Sequence, residues 1–367
     1  MVRLGDQLAN YDSARRPIKS SDREAGNVPY LGASGVVDYV SGSTHSGTYL
    51  CVSEDGENLR SRKTPIAWVQ EGRFWANNHV HILGGASRPR LKFFACALEG
   101  ANISAYLTGS TQPKLSQAAL SSVLIPDIGE GRQEEIGEIL LAFDDKIAAN
   151  QSILRLSDDL LRAEFNQLEL SSEWTVGSIS AEHKSKVEAH TVDRETTFLG
   201  LEHLDRRLMW VGRSGTGDAV TSTKSRFRRG DTLFGKLRPY FHKVVVAPEE
   251  GVCSTDMLVI RPVRSELSLL VGAVCSSDAV VAAAVQHSNG TRMPRAKWID
   301  IAACPAPDPN TPEVARFVAV ADAVAHRCWA AVAENQMLAR TRDELLPLLF
   351  DGRISVSEAE RVIKSVR

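Results

Sequence analysis

Residues 109–126 read GSTQPKLSQAALSSVLIP, and residues 290–307 read GTRMPRAKWIDIAACPAP. The stretches lie 181 positions apart: Gly109 falls on Gly290, Pro113 on Pro294, Lys114 on Arg295, Leu120 on Ile301 and Pro126 on Pro307. Each runs into a long helical pattern, and those patterns echo one another at an offset of 185. Asn150-Gln151 matches Asn335-Gln336, Asp158-Asp159-Leu160-Leu161 matches Asp343-Glu344-Leu345-Leu346, and Phe165 matches Phe350. A globular unit followed by a long helix, repeated at about half the chain length, makes a pseudo-dimer in one polypeptide. A duplicated reader suits a target with two half-sites, and DNA is the obvious such target.

From Arg132 to about Leu168 the pattern is helical. Ile136, Leu140, Phe143, Ile147, Asn150, Leu154, Ser157 and Leu161 recur in alternating steps of four and three, a heptad seam with Asn150 and Ser157 as polar interruptions. The second helix, about Pro312–Phe350, places Val332, Asn335, Ala339 and Leu346 in the equivalent slots, so Asn335 takes that of Asn150. A polar residue in both seams fixes register and antiparallel pairing at some cost in stability. The plainer alternative is an amphipathic helix that only covers a core. A helix of this length spans about 55 Å at ~1.5 Å per residue. Half-sites one turn of B-DNA apart need ~34 Å, so the helix is expected to act as a ruler. Gly352, in Asp351-Gly352-Arg353-Ile354, supplies a stop.

The chain is expected to fall into a mixed domain over 1–128, a helical region over 129–170, a second mixed domain over 171–308 and a second helical region over 309–367. In the first domain, Gly47–Val52 and His79–Leu83 read as strands between turns, and helices are expected around Leu91–Glu99 and Ser116–Ser122. Asp55-Gly56 is most simply a turn. The second domain opens at Ser172-Glu173-Trp174 and closes at Pro305–Pro309. The expected fold class is α/β (α+β): two mixed domains and two long helices, related by a pseudo-two-fold internal repeat.

With 367 residues, 43% apolar and 24% charged, the composition is that of a soluble globular protein of two domains. No run approaches the ~18 apolar residues of a membrane helix, and MVRLGDQLANYDSARR lacks an apolar signal core. The six cysteines are scattered without a CxxC pair, which reads as reduced, cytoplasmic and free of metal. Between Glu130 and Glu173 eleven acidic residues face four basic ones, a local balance of −7. In a chain of net charge −2, that leaves about +5 elsewhere, where a phosphate-binding surface belongs. The acidic helix itself reads as a spacer or a protein-docking surface.

The densest cationic stretch holds Lys224, Arg226, Arg228, Arg229, Lys236, Arg238, His242 and Lys243 against the single acid Asp231, with Phe227, Phe234, Tyr240 and Phe241 interleaved. Lysine and arginine meet phosphates, and arginine forks onto guanine edges. The alternative is a solvated basic face. Arg292, Arg295 and Lys297 form a second set inside the repeated motif, whose first copy supplies Gln112 and Lys114. Arg88-Pro89-Arg90-Leu91-Lys92 is a third, weaker candidate. Asn77 carries an amide suited to adenine edges, although a turn hydrogen bond is the simpler use. His79 and His81 share a strand face, yet no nearby acid or cysteine completes a metal set. Gly212–Gly217 lacks the Gly-Lys-Ser/Thr ending of a phosphate loop. With no methyltransferase Asp/Asn-Pro-Pro-aromatic motif, no Walker lysine and no nuclease carboxylate set, the chain reads as noncatalytic.

Pro29-Tyr30-Leu31-Gly32-Ala33-Ser34-Gly35, Phe74–His81, Arg229–Tyr240, Ser254-Thr255-Asp256-Met257, the duplicated Gly…Pro…Pro segments and Arg342–Pro347 occur in this order. In that arrangement the chain resembles the specificity (S) subunit of type I restriction-modification systems over essentially its whole length. The resemblance implies two target recognition domains, each reading half of a split double-stranded DNA site. It also implies two long helices pairing as an antiparallel coiled coil and docking methyltransferase (M) subunits, expected to be two, with restriction (R) subunits joining them. On it, Leu140, Phe143, Ile147, Asn150, Leu154, Leu161, Val332, Asn335 and Leu346 form the coiled-coil and M-docking seam. Asn77, Gln112, Lys114, Lys224, Arg226, Lys236, Arg238, Tyr240, Lys243, Arg292 and Arg295 are the DNA-contact candidates. S-adenosylmethionine, ATP and Mg2+ are expected on the partners, which methylate adenine N6 and cleave unmodified DNA. The second helix shows Trp329-Ala330-Ala331-Val332 where the first has Asp144-Asp145-Lys146-Ile147, which implies asymmetric docking. The unlike domains imply an asymmetric site. The rivals are an inactive or swapped variant of S, a stand-alone DNA-modifying enzyme and a coiled-coil adaptor.

Overall fold

The computed structural model describes residues 1–286, 288, 293–359 and 361. The chain divides into two compact units, one of Met1–Asp145 with Leu338–Arg367 and one of Lys146–Met337. The long helices, Glu130–Phe165 and Pro312–Phe350, both run through the division, so each unit owns the head of one helix and the tail of the other. The second helix stops where its glycine directs. Gly352 takes φ +68°, and the Arg353 N–H reaches back to the Leu348 carbonyl at 2.9 Å.

The first unit is built on a six-stranded sheet in the order Ala9–Asn10, Val80–Gly84, His45–Ser53, Ala67–Ala76, Ala25–Gly32, Gly35–Val40. Alternation along the central strands sends Leu31, Cys51, Phe74, Ala76, Val80 and Ile82 into one core. The helix Arg88–Gly100 starts with Ser87 accepting the Arg90 N–H and buries Leu91, Phe93, Phe94 and Leu98. Each such side chain contributes roughly 1.5–3 kcal/mol by leaving water. In this unit the helix segments run antiparallel: Arg342 meets Asp144 at 3.4 Å, and Arg132 reaches the Leu349 carbonyl at 3.5 Å.

The second unit carries two sheets. Four strands are ordered Ser180–Glu182, Met257–Pro262, Thr232–Gly235, Val244–Val246, and five are ordered Lys186–Val187, Lys224–Phe227, Gly251–Cys253, Thr197–Leu199, Gly215–Thr216. Its core joins Trp210, Phe234 and the apolar helix Ser268–Cys275 to the helix residues Leu154, Leu161, Phe165, Val314, Phe317 and Cys328. Here too the helix segments run antiparallel. Asn150 meets Asn335 at 3.0 Å, and the Phe165 and Phe317 rings lie 6.2 Å apart.

The seam of the first helix follows its sequence: Ile136, Leu140, Phe143, Asn150, Leu154 and Leu161 are buried, and Ile147 and Ser157 half-buried. In the second helix Val332 is buried and Asn335 half-buried, but then the seam slips by one residue. It passes through Leu338 and Leu345 rather than Ala339 and Leu346, and Leu346 instead lines a cleft beside Trp68 and Cys96. A straight helix drifts against a strict heptad, and a step of three after Asn335 restores contact. Among the described residues no single helix is long and apolar enough to cross a membrane.

Candidate nucleic-acid interface

Three loops meet in the first unit, around Glu54–Gly56, Asn77–His79 and Gly109–Leu115. The Glu54 N–H donates to the His79 carbonyl at 3.0 Å, the Leu115 N–H to the Glu54 carbonyl at 2.8 Å, and the Gly56 N–H to the Pro113 carbonyl at 3.0 Å. The second unit repeats each bond. Lys236 donates to Asp256 at 3.0 Å, Ala296 to Lys236 at 2.9 Å, and Arg238 to Pro294 at 2.8 Å. Further out, Asn77 N–H to Leu31 O (3.2 Å) matches Ser254 N–H to Leu199 O (2.9 Å), and Leu4 to Val123 matches Val176 to Cys304, both 2.9 Å. The duplication therefore extends beyond the motif to a whole loop cluster. Its glycine is obligatory in the first copy: Gly109 takes φ +83°, and a Cβ there would collide with the Gln112 carbonyl oxygen. The counterpart Gly290 lies outside the described residues.

What the two clusters display differs at nearly every slot. In the first unit Glu54 is the hub: Arg15 bonds it at 2.6 Å and Lys114 at 3.0 Å. Beneath it His81 is buried, with Nδ1 2.6 Å from Asp12 Oδ2 and Nε2 2.8 Å from the Leu115 carbonyl oxygen. Burial raises the pKa of the Asp12 carboxyl, but hydrogen bonds from His81 and the Ile82 N–H outweigh it and hold the group below its ordinary range. Gln112 is exposed, and Lys114 is exposed but engaged with Glu54. Asn77 departs from the expectation of a base-reading amide: it is buried, and its Oδ1 accepts the His79 N–H at 2.7 Å. His79 faces outward and pairs with Asp55 at 2.6 Å.

In the second unit Lys236 stands where Glu54 stands in the first. Arg238 is exposed in a left-handed conformation, φ +52°, the slot of Gly56 at φ +108°. With His242 at φ +51° it brackets the turn Pro239–Phe241 and lifts Tyr240 to 52% exposure. Arg295 is exposed and pairs with Asp256 at 3.1 Å. Lys236, Arg238, Tyr240 and Arg295 are thus gathered on one cluster, and the rest of the basic stretch scatters.

Lys224 is buried, its Nζ donating to Ser222 Oγ at 2.8 Å because the Phe198 ring and that loop enclose it, so it points inward rather than at a ligand. Arg226 faces a cleft shared with Asp193, Glu195, Glu249 and Glu250, a poor place for phosphate. Arg229 lies over the Trp329 ring at 5.0 Å. Lys243 donates to the Leu201 carbonyl at 2.6 Å, and burial, aided by Arg206 and opposed by Asp205, holds its pKa below the ordinary lysine range. Arg292 lies outside the described residues.

Sequence reading missed Arg206, which covers the Phe241 ring at 4.1 Å, and Lys184 and Lys186, which line a cleft with Lys236. The Asp205-Arg206-Arg207 and His183-Lys184-Ser185-Lys186 runs carried the signal. The weak basic candidate 88–92 has another use, since it neutralises the acidic helix within the first unit. Arg88 pairs with Glu71 and with Asp145 (3.2 Å), Arg90 with Glu130 (3.0 Å), and Lys92 with Asp144 (2.5 Å).

The mixed fold thus holds two copies of a loop cluster, with exposed cations gathered on one of them. Residues 1–156 match the type I restriction modification DNA specificity domain. A putative type I restriction enzyme specificity subunit of Haemophilus influenzae is 40% identical over 136 residues, 37% of this chain and 35% of that protein. The type I restriction enzyme EcoDI specificity subunit of Escherichia coli is 26% identical over 188 residues, 48% of this chain and 40% of the relative. The matches thus span 35% and 40% of those relatives' lengths. The crystal structure of a type-I restriction-modification system S subunit from M. genitalium shares the fold, with a TM-score of 0.59 and 14% identity over 95% of each chain.

Proposed function

We propose that this chain is the DNA sequence-specificity subunit of a type I restriction-modification complex. Each unit reads one half of a bipartite, asymmetric double-stranded site, and the chain scaffolds methyltransferase and restriction subunits. The partners supply adenine N6 methylation, with the target base flipped into their pocket, and cleavage of unmodified DNA. S-adenosylmethionine, ATP and Mg2+ belong to them. The reading is carried by the duplicated loop cluster: the same backbone bonds hold Glu54, Gly56 and Lys114 in one copy and Lys236, Arg238 and Arg295 in the other. One scaffold with two unlike sets of side chains reads two unlike half-sites. Glu135 and Glu138 remain exposed on the first unit's segment of the first helix, an acidic patch for partner docking.

Single-molecule sequencing of adenine methylation, in cells with and without this gene, tests the proposal. A split, non-palindromic motif methylated only when the gene is present is expected; identical methylation in both would overturn it. In the purified complex, Lys236→Ala with Arg238→Ala should weaken DNA binding and flatten its dependence on salt.

A further inference from the structure

We infer that the second unit carries a clamp for an internucleotide phosphate which the first unit lacks, at the slot where Lys236 replaces Glu54. This rests on the DNA-reading function proposed above. A cleft of about 680 Å³ opens beside the loop cluster of the second unit, walled by Lys184, Lys186, Lys236, Ser225 and Thr255 together with the carboxylates Glu182 and Glu188. Both carboxylates are engaged: Glu182 holds Lys184 at 3.1 Å, and Glu188 accepts from Thr223 Oγ1 at 3.0 Å. Lys186 and Lys236 make no ion pair among the described residues, so two ammonium groups and the hydroxyls face the cleft as donors. A phosphodiester, with one negative charge and acceptors only, fits that chemistry; a base edge, which mixes donors and acceptors, fits it less well. Lys236 and Thr255 also belong to the three-loop cluster, so the cleft continues the surface that reads the half-site.

The equivalent slot of the first unit is closed to such a ligand. Glu54 there offers only acceptors, and the nearest lysine and arginine are already engaged with it: Arg15 at 2.6 Å and Lys114 at 3.0 Å. The salt-dependent part of binding at these two clusters therefore sits on the second.

The test is the slope of log affinity against log salt for the full chain in its methyltransferase complex, on duplex carrying its split site. Lys186→Gln with Lys236→Gln should lower the slope by about 1, at ~0.9 per phosphate contact, and weaken binding uniformly across sequence variants. Lys114→Gln should leave the slope unchanged, because that ammonium serves Glu54. A single methylphosphonate linkage, moved along the half-site of the second unit, should at one position cost the unaltered complex the same slope and there cost the double variant nothing more. An unchanged slope in the double variant, or an equal loss with Lys114→Gln, overturns the clamp alone. An unaltered complex that binds no duplex overturns the proposed function, and the clamp with it. Melting temperatures of the variants establish that each is folded, since neither Lys186 nor Lys236 makes an ion pair among the described residues.

Discussion

Arg238 occupies a left-handed backbone, φ +52°, where its counterpart is glycine. A residue with a Cβ held there costs roughly 1 kcal/mol, and the exposed guanidinium is the visible return. Arg238→Gly separates the two effects. Its melting temperature should stay level or rise slightly, because glycine takes this conformation freely. DNA affinity should fall several-fold, and the salt slope by about 1. A large drop in melting temperature would contradict this account of the turn. The Asp12–His81–Glu54 group makes a prediction in pH. Asp12 and Glu54 are both held below the ordinary carboxylate range, each against the opposing effect of burial: Asp12 by His81 and the Ile82 N–H, Glu54 by Arg15 and Lys114. Groups lowered on folding stabilise above their unfolded pKa, about 4, and that stability drains away as pH falls through the folded values. Denaturant midpoints between pH 6 and 3 should therefore fall steeply, and Asp12→Asn should remove part of the slope. An unaltered slope in Asp12→Asn would rule out the assignment.

At the scale of elements, the helix pairing of the second unit centres on Asn150, which is fully buried. Its Nδ2 donates to Glu334 at 2.8 Å and to Asn335 at 3.0 Å, while Oδ1 has no partner among the described residues. An unsatisfied buried acceptor costs about 1–3 kcal/mol, so Asn150→Leu with Asn335→Leu should raise the denaturation midpoint while loosening register. Cysteine pairs engineered across the seam should then cross-link in more than one register; a lower midpoint would count against the assignment. This seam was legible because side-chain period and burial coincide in the first helix. It slipped in the second, where Leu338 and Leu345 lie on the seam and Ala339 and Leu346 do not. The loop cluster was less legible still, for a physical reason. Backbone N–H and carbonyl groups hold it together and constrain side chains weakly, and the spacing between copies shifts along the chain. It is 168 at Leu31/Leu199, 177 at Asn77/Ser254, 182 at Glu54/Lys236 and 181 at Leu115/Ala296. Only the last was constant over enough residues to be read. Basic composition likewise marked the stretch 224–243 but not its geometry, since burial turns Lys224 inward while Arg238 and Tyr240 stay exposed.

For the whole molecule, the division between units falls inside both long helices, after Asp145 and after Met337, so no separate linker joins one unit to the other at those points. Under the proposed function, helix length then sets the number of base pairs tolerated between half-sites. Removing seven residues from each helix keeps the phase of a heptad seam and shortens both by about 10 Å, at ~1.5 Å per residue. At ~3.4 Å per base pair the methylated motif should keep both half-sites and lose about three base pairs of spacer. Removing four residues from the first helix alone should also change the spacer, with a loss of stability because the seam rotates away from Asn335. Methylome sequencing of cells carrying either variant reads the spacer directly. An unchanged spacer beside intact half-sites would show that the helices hold the units without measuring the DNA, and would leave the recognition clusters as the only part of the proposal still standing.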